Sequence, residues 1–169
     1  MSDPVSVLLV DDDLDSRLIY GRALSHSGYR VIEAVGGLQA LSIARARTPD
    51  VIVVDLGLPD IDGPDVIRTL RAETATHRAL IIVLTAYVSR SDEACAVDAG
   101  CDAFLTKPMP PRDLVSLIDR LSAGREARPV PPPESQEQPR HRSPPERPEV
   151  TSPPMPLRSP SPDLVDWHQ

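Results

Sequence analysis

Five short apolar runs, separated by stretches of helical periodicity, constrain this chain more than any other feature of it. The runs are Val5–Val10, Arg30–Ala34, Val51–Asp55, Leu80–Leu84 and Asp102–Leu105. Each has the length of a strand, and what lies between repeats every three or four residues. Leu14, Leu18, Gly21 and Leu24 or Ser25 mark one face of a first helix, with Asp13 as its N-cap. Leu38, Leu41 and Ala44 mark a second. Pro64 opens a third at its N1 position, followed by Val66, Ile67 and Leu70. Ser91–Ala99 is a weak fourth helix, and Pro110 and Pro111 open a fifth with Leu114, Leu117, Ile118 and Leu121 inward. Strands that alternate with helices in this way predict an α/β fold, a five-stranded parallel sheet doubly wound by helices on both faces.

That alternation stops near Ala123. Of the 20 prolines, 13 fall in the 46 residues from Gly124 to Gln169, where only Val130, Val150, Leu157, Leu164 and Val165 are large aliphatics. Too few apolar groups are present to bury a core, so residues 124–169 are expected to be a disordered, Pro-rich tail with polyproline II character. Residues 1–123 then form the folded domain, and no DNA-reading output domain is expected in the remainder.

Charge and cysteine content remove several classes of function. The chain carries 18 basic against 25 acidic residues, a net −7, with five aromatic residues, so it lacks the basic footprint of a nucleic-acid binder. No apolar run approaches a membrane span and no signal peptide is visible, so a cytoplasmic protein is expected. Cys95 and Cys101 form no CxxC pair and imply no disulfide or zinc framework. His26, His77, His141 and His168 are scattered, and Gly36-Gly37 reads as a turn rather than a phosphate loop.

In a doubly wound sheet, ligands bind outside the C-terminal ends of the strands. There the first strand ends in Asp11-Asp12-Asp13, the third in Asp55, the fourth in Thr85 and the fifth leads to Lys107. Carboxylates gathered on one rim repel one another unless a cation neutralises them, and a hard divalent ion such as Mg²⁺ suits oxygen ligands. With it, one carboxylate can attack a phosphoryl group and become an aspartyl phosphate. The cation, an ammonium and a hydroxyl then balance charge on the phosphoryl oxygens. Lys107 is the single lysine among 18 basic residues, the other 17 being Arg. A compact ammonium fits where a planar guanidinium does not.

The sequences Val7-Leu8-Leu9-Val10-Asp11-Asp12, Val53-Val54-Asp55-Leu56-Gly57-Leu58-Pro59-Asp60, Leu84-Thr85-Ala86 and Phe104-Leu105-Thr106-Lys107-Pro108 together resemble the response-regulator receiver domain of two-component signalling, of the single-domain, chemotaxis-regulator-like type. The resemblance runs from Val5 to Leu121. It implies a flavodoxin-like sheet, Asp55 as phospho-acceptor, and Mg²⁺ held by Asp11, Asp12, Asp55 and the backbone carbonyl of Gly57. It also implies Thr85 and Phe104 as switch residues, Lys107 as the phosphate-binding lysine, and a cis Lys107–Pro108 bond. Asp13 is left as the helix cap. A sensor histidine kinase or phosphotransfer protein is the implied donor, and an unidentified protein the downstream partner, with neither nucleic acid nor membrane contacted directly. Such a protein is not an enzyme beyond Mg²⁺-dependent self-phosphorylation and autodephosphorylation.

Departures from the family pattern are mild. Phe104 stands where Tyr is frequent, and Gly57 and Tyr87 occupy the places two residues past Asp55 and Thr85 that tune dephosphorylation in the family. A phosphatase of the haloacid-dehalogenase type requires a second Asp two residues past its nucleophile, and Gly57 is there instead. The alternative is an inert receiver-fold scaffold acting through its tail, where Pro131-Pro132-Pro133 and the Leu164, Val165, Trp167 cluster are candidate partner segments.

Overall fold

The computed structural model describes residues 4–86 and 89–126. Tyr87 and the tail, including its Pro-rich tracts and the Leu164–Trp167 cluster, lie outside the described residues. The elements are β1 (Ser6–Val10), α1 (Leu14–His26), β2 (Arg30–Ala34), α2 (Gly37–Arg47), β3 (Val51–Val54), α3 (Gly63–Ala72), β4 (Leu80–Thr85), α4 (Arg90–Ala99), β5 (Ala103–Thr106) and α5 (Pro111–Glu126). All pairings are parallel, in the order β2-β1-β3-β4-β5. This is the doubly wound parallel sheet that the alternating pattern predicts, in the flavodoxin-like form that the resemblance implies. α5 continues through Gly124 to Glu126, past the boundary drawn at Ala123.

The apolar runs are continuous because successive strand residues enter opposite layers. Leu8, Val10, Ile52, Val54, Ile81 and Val83 pack under α2, α3 and α4. Their chain neighbours Val7, Leu9, Val51, Val53, Ile82 and Leu84 pack under α1 and α5. All twelve are at most 2% exposed, and burying a side chain of this size stabilises by about 1.5–3 kcal/mol. Strand order reverses between β1 and β3, which pair with Val10 opposite Val54. That register carries Asp11 and Asp55 out of the sheet side by side.

Two helix faces differ from the periodic reading. Leu14 and Leu18 of α1 are 57% and 41% exposed, and the buried residues are Arg17, Tyr20, Gly21 and Leu24. The phase is set elsewhere. Asp13 caps the helix by accepting the Ser16 N–H at 2.8 Å, and Gly21 comes so near the sheet that a Cβ there would lie 3.2 Å from Glu33 Oε1. In α2, Leu38 is 61% exposed while Ala40, Leu41 and Ala44 face inward. Its first turn is held instead by Asp60, whose carboxylate accepts the Gly37 and Leu38 N–H groups at 2.7 and 2.8 Å. Pro64 is the second residue of α3 rather than the first, because Asp62 is the N-cap. α4 is secured by a capping box between Ser89 and Asp92.

Candidate functional site

Three loops bring charge to the C-terminal rim of the sheet. The β1 loop is anchored where Asp11 N–H donates to the Ala34 carbonyl at 3.1 Å, and the β3 loop where Asp55 N–H donates to Val10 at 2.9 Å. The third follows β5, where Lys107 N–H donates to the carbonyl of Thr85 at 2.8 Å and the Lys107–Pro108 bond is cis. Lys107 Nζ then donates to Asp11 Oδ2 at 2.6 Å and to Asp55 Oδ2 at 2.8 Å. Residues 96 and 52 positions apart thus meet at one ammonium.

The remaining carboxylate oxygens are also directed. Asp11 Oδ1 accepts the Asp13 N–H at 2.9 Å, and Asp55 Oδ1 accepts the Gly57 N–H at 3.1 Å. The β3–α3 loop folds back tightly, since a Cβ on Gly63 would lie 2.6 Å from the Leu56 Cα. Asp11, Asp55 and Thr85 are buried, at 2%, 8% and 0% exposure, whereas Asp12 is exposed beside them. Burial pushes the Asp11 carboxyl above its usual value, against the pull of its Lys107 hydrogen bond and the Asp13 N–H. Burial also disfavours the Lys107 charge, but its bonds to Asp11 and Asp55 outweigh that and raise its pKa, so it stays an ammonium. Two buried carboxylates share one cation, and the site is short of positive charge.

Of the residues expected at the rim, the structure joins Asp11, Asp55 and Lys107 directly, and ties the buried Thr85 to Lys107 through the backbone. Asp13 is a helix cap, not a member of the set. Phe104 is half-buried against the core layer of α2, α3 and α4 and lines a surface hollow of about 350 Å³ with Glu93, Leu105 and Met109. Gly57 opens onto a groove of about 540 Å³ between α3 and α4. Missed in the sequence was Arg17, whose Nη1 donates to the carbonyls of Asp11 and Asp12 at 2.8 and 3.0 Å. Its spacing to Gly21 and Leu24 places it on their face, which was the available signal.

Comparison with known proteins decides the family. Residues 7–119 match the response regulator receiver domain. The chain belongs to that family. DivK of Brucella anthropi, a polar-differentiation response regulator, is 32% identical over 106 residues, covering 63% of this chain and 86% of its own. The response regulator MprA of Mycobacterium sp. (strain KMS) is 38% identical over 118 residues, 70% of this chain, and this receiver chain spans only half its length. Among solved structures, the chemotaxis response regulator CheY4 of Vibrio cholerae superposes with a TM-score of 0.66 at 28% identity, covering 70% of this chain and 98% of that one. The receiver domain of the sensor histidine kinase PA1611 of Pseudomonas aeruginosa, with a magnesium ion coordinated in its active site cleft, gives 0.65 at 32% identity, covering 69% and 96%. The fold and two-component character of this receiver are therefore shared with these relatives. Among its described residues, no helix is long and apolar enough to cross a membrane.

Proposed function

We propose that this receiver takes a phosphoryl group on Asp55 from a histidine kinase or phosphotransfer protein in the cytoplasm and signals through protein contacts. The observation that carries the reading is the meeting of Asp55 and Asp11 at Lys107 Nζ. An Asp55 carboxylate oxygen attacks phosphorus in line, the phosphorus–nitrogen bond of the donor phosphohistidine breaks, and its electron pair stays on the imidazole nitrogen. Lys107 moves its hydrogen bond from the Asp55 carboxylate to a phosphoryl oxygen, and Thr85, buried at the end of β4, offers its hydroxyl to another. Phe104 follows Thr85, changing the surface formed by α4, β5 and α5.

The donor set fits Mg²⁺. Among the described residues no three His, Cys, Asp or Glu side chains form a ready-made metal cage. Asp11 and Asp55 instead converge on a point where the Lys107 ammonium stands in for a cation, with Asp12 exposed at its edge. A hard ion held by one or two carboxylates and several waters suits that arrangement. Asp11, Asp12, Asp55 and the Gly57 carbonyl would hold it, and when bound it neutralises charge on the phosphoryl oxygens. Pro-rich residues beyond α5 act, in this reading, as a tether.

Acetyl phosphate with Mg²⁺ is expected to add one phosphoryl group to the wild type and none to Asp55→Asn, read by intact-mass spectrometry. Equal labelling of both would sink the assignment. Absence of labelling in the wild type would favour the scaffold alternative, in which the tail acts and the receiver is inert.

A further inference from the structure

The face of α1 turned to the acidic rim carries two polar side chains where an apolar stripe would be expected. Arg17 and Tyr20 are 8% and 6% exposed. Arg17 Nη1 bridges the carbonyls of Asp11 and Asp12, at 2.8 and 3.0 Å. Its Nε has no hydrogen bond and stands 3.4 Å from Glu33 Oε2, an electrostatic contact only. One turn later, the Tyr20 hydroxyl donates to the carbonyl of Met109 at 3.0 Å, just past Lys107 and Pro108. A single turn of α1 therefore grips the two loops whose charges meet in the 2.6 Å contact between Lys107 and Asp11.

A buried guanidinium beside three consecutive acids has an obvious alternative, which is to pair with their carboxylates. Here it takes the backbone carbonyls of the first two, whose carboxylates are left for the rim, while that of Asp13 caps α1. Bonds to two successive carbonyls fix the planes of two successive peptide units. The two units flank Asp12 and set its Cα–Cβ direction, while Asp11 has one of them on its C-terminal side and its own N–H bond to the Ala34 carbonyl on the other. An ammonium in the same place is a point charge without the planar fork.

We infer that Arg17 is a positioning residue for the cation-binding acids, setting where the carboxylates of Asp11 and Asp12 stand and thereby the affinity for Mg²⁺. The inference rests on the reading that these acids hold the ion. Groups that orient metal ligands through hydrogen bonds typically change affinity by about 10- to 100-fold when removed. Tyr20 supplies the contrast, because its hydroxyl holds the lysine loop, at Met109, from the same face.

The test is a calorimetric titration of MgCl₂ into the full chain, with thermal unfolding followed in parallel. Arg17→Met is expected to weaken Mg²⁺ binding by roughly tenfold or more, and Tyr20→Phe to leave it unchanged. Should Arg17→Met fail to fold, Arg17→Lys is read in its place, with weaker Mg²⁺ binding expected at near wild-type melting temperature. Wild-type affinity in the Arg17 variant that is read would overturn the inference, as would equal weakening in Tyr20→Phe, which would mark a general loosening of α1. Wild-type protein that binds Mg²⁺ but is not labelled at Asp55 would remove the proposed function and leave this inference standing. A wild type that binds no Mg²⁺ would overturn both.

Discussion

Two cations organise opposite ends of this sheet, and they are built on different principles. At the C-terminal rim, Lys107 is shared by two carboxylates, Asp11 and Asp55, with Asp12 beside them. At the other end, Arg71 in the last turn of α3 is surrounded by acceptors. Its Nε donates to Gly100, its Nη1 to His77 and Ala79, and its Nη2 to the Asp102 carboxylate, all at 2.7 to 2.9 Å. Asp102 in turn accepts the Ile81 N–H at 2.8 Å. The planar fork thus joins the ends of α3 and α4 to the starts of β4 and β5, and its charge is met by one carboxylate. Where donors and acceptors match, the assembly is closed and structural. Where negative charge exceeds positive, as at Lys107, an incoming cation or phosphoryl group finds an electrostatic reason to bind.

The sharpest way to break this contrast is to remove a charge from each end. Asp12→Ala is expected to abolish measurable Mg²⁺ binding in a calorimetric titration while the circular dichroism spectrum stays that of the wild type. Unchanged affinity would show that the rim does not depend on its exposed acid. Arg71→Ala should do the reverse. Stranding a partly buried carboxylate and carbonyls costs roughly 1–3 kcal/mol, read as a lower midpoint in urea, while labelling of Asp55 by acetyl phosphate persists in the folded protein.

Lys107→Arg tests whether the shape of the cation matters as well as its charge. The guanidinium is wider and spreads its charge, so the rate of Asp55 labelling at saturating Mg²⁺ should fall by about tenfold, equivalent to about 1.4 kcal/mol. A normal rate would make the single lysine an accident of an Arg-rich composition. The smallest effect concerns Asp11. Burial raises its carboxyl above the ordinary 3.8, so its contribution to stability is full below that value and is lost as pH rises through the raised one. Asp11→Asn in chelator should therefore melt no lower than the wild type at pH 7, with any gain shrinking as pH falls toward 3.8. A large loss of stability at pH 7 would mean that the Lys107 pair outweighs the burial of Asp11.

Much of this was legible in the chain. Strand residues buried on both faces must be apolar at every position, so Val51–Val54 and Leu80–Leu84 announce a covered parallel sheet without further information. The doubly wound topology then sends Asp11, Asp55, Thr85 and Lys107 to one rim, and the agreement of residue type, order and strand-end placement identifies the receiver pattern. Local chemistry likewise assigns Asp13 as a cap, because a side-chain oxygen is needed by the free N–H groups of α1 whatever lies beyond.

Phase was another matter. α1 offers two overlapping stripes of helical spacing, one joining Gly21 and Leu24 to Leu14 and Leu18 and the other joining them to Arg17, and periodicity measures their spacing without ranking them. Only the packed protein decides, because α1 meets the sheet at Gly21, against Glu33 and Leu9, and the carbonyls of Asp11 and Asp12 take their donor from Arg17. The Arg71 assembly was invisible for the same reason, since its acceptors are mostly backbone carbonyls, which every residue possesses and no sequence distinguishes. Residue types and their order determined the fold, the rim and its chemistry. Distances across the fold determined which helix face turns inward and which cation is saturated, because those depend on the shapes that meet and not on the pattern along the chain.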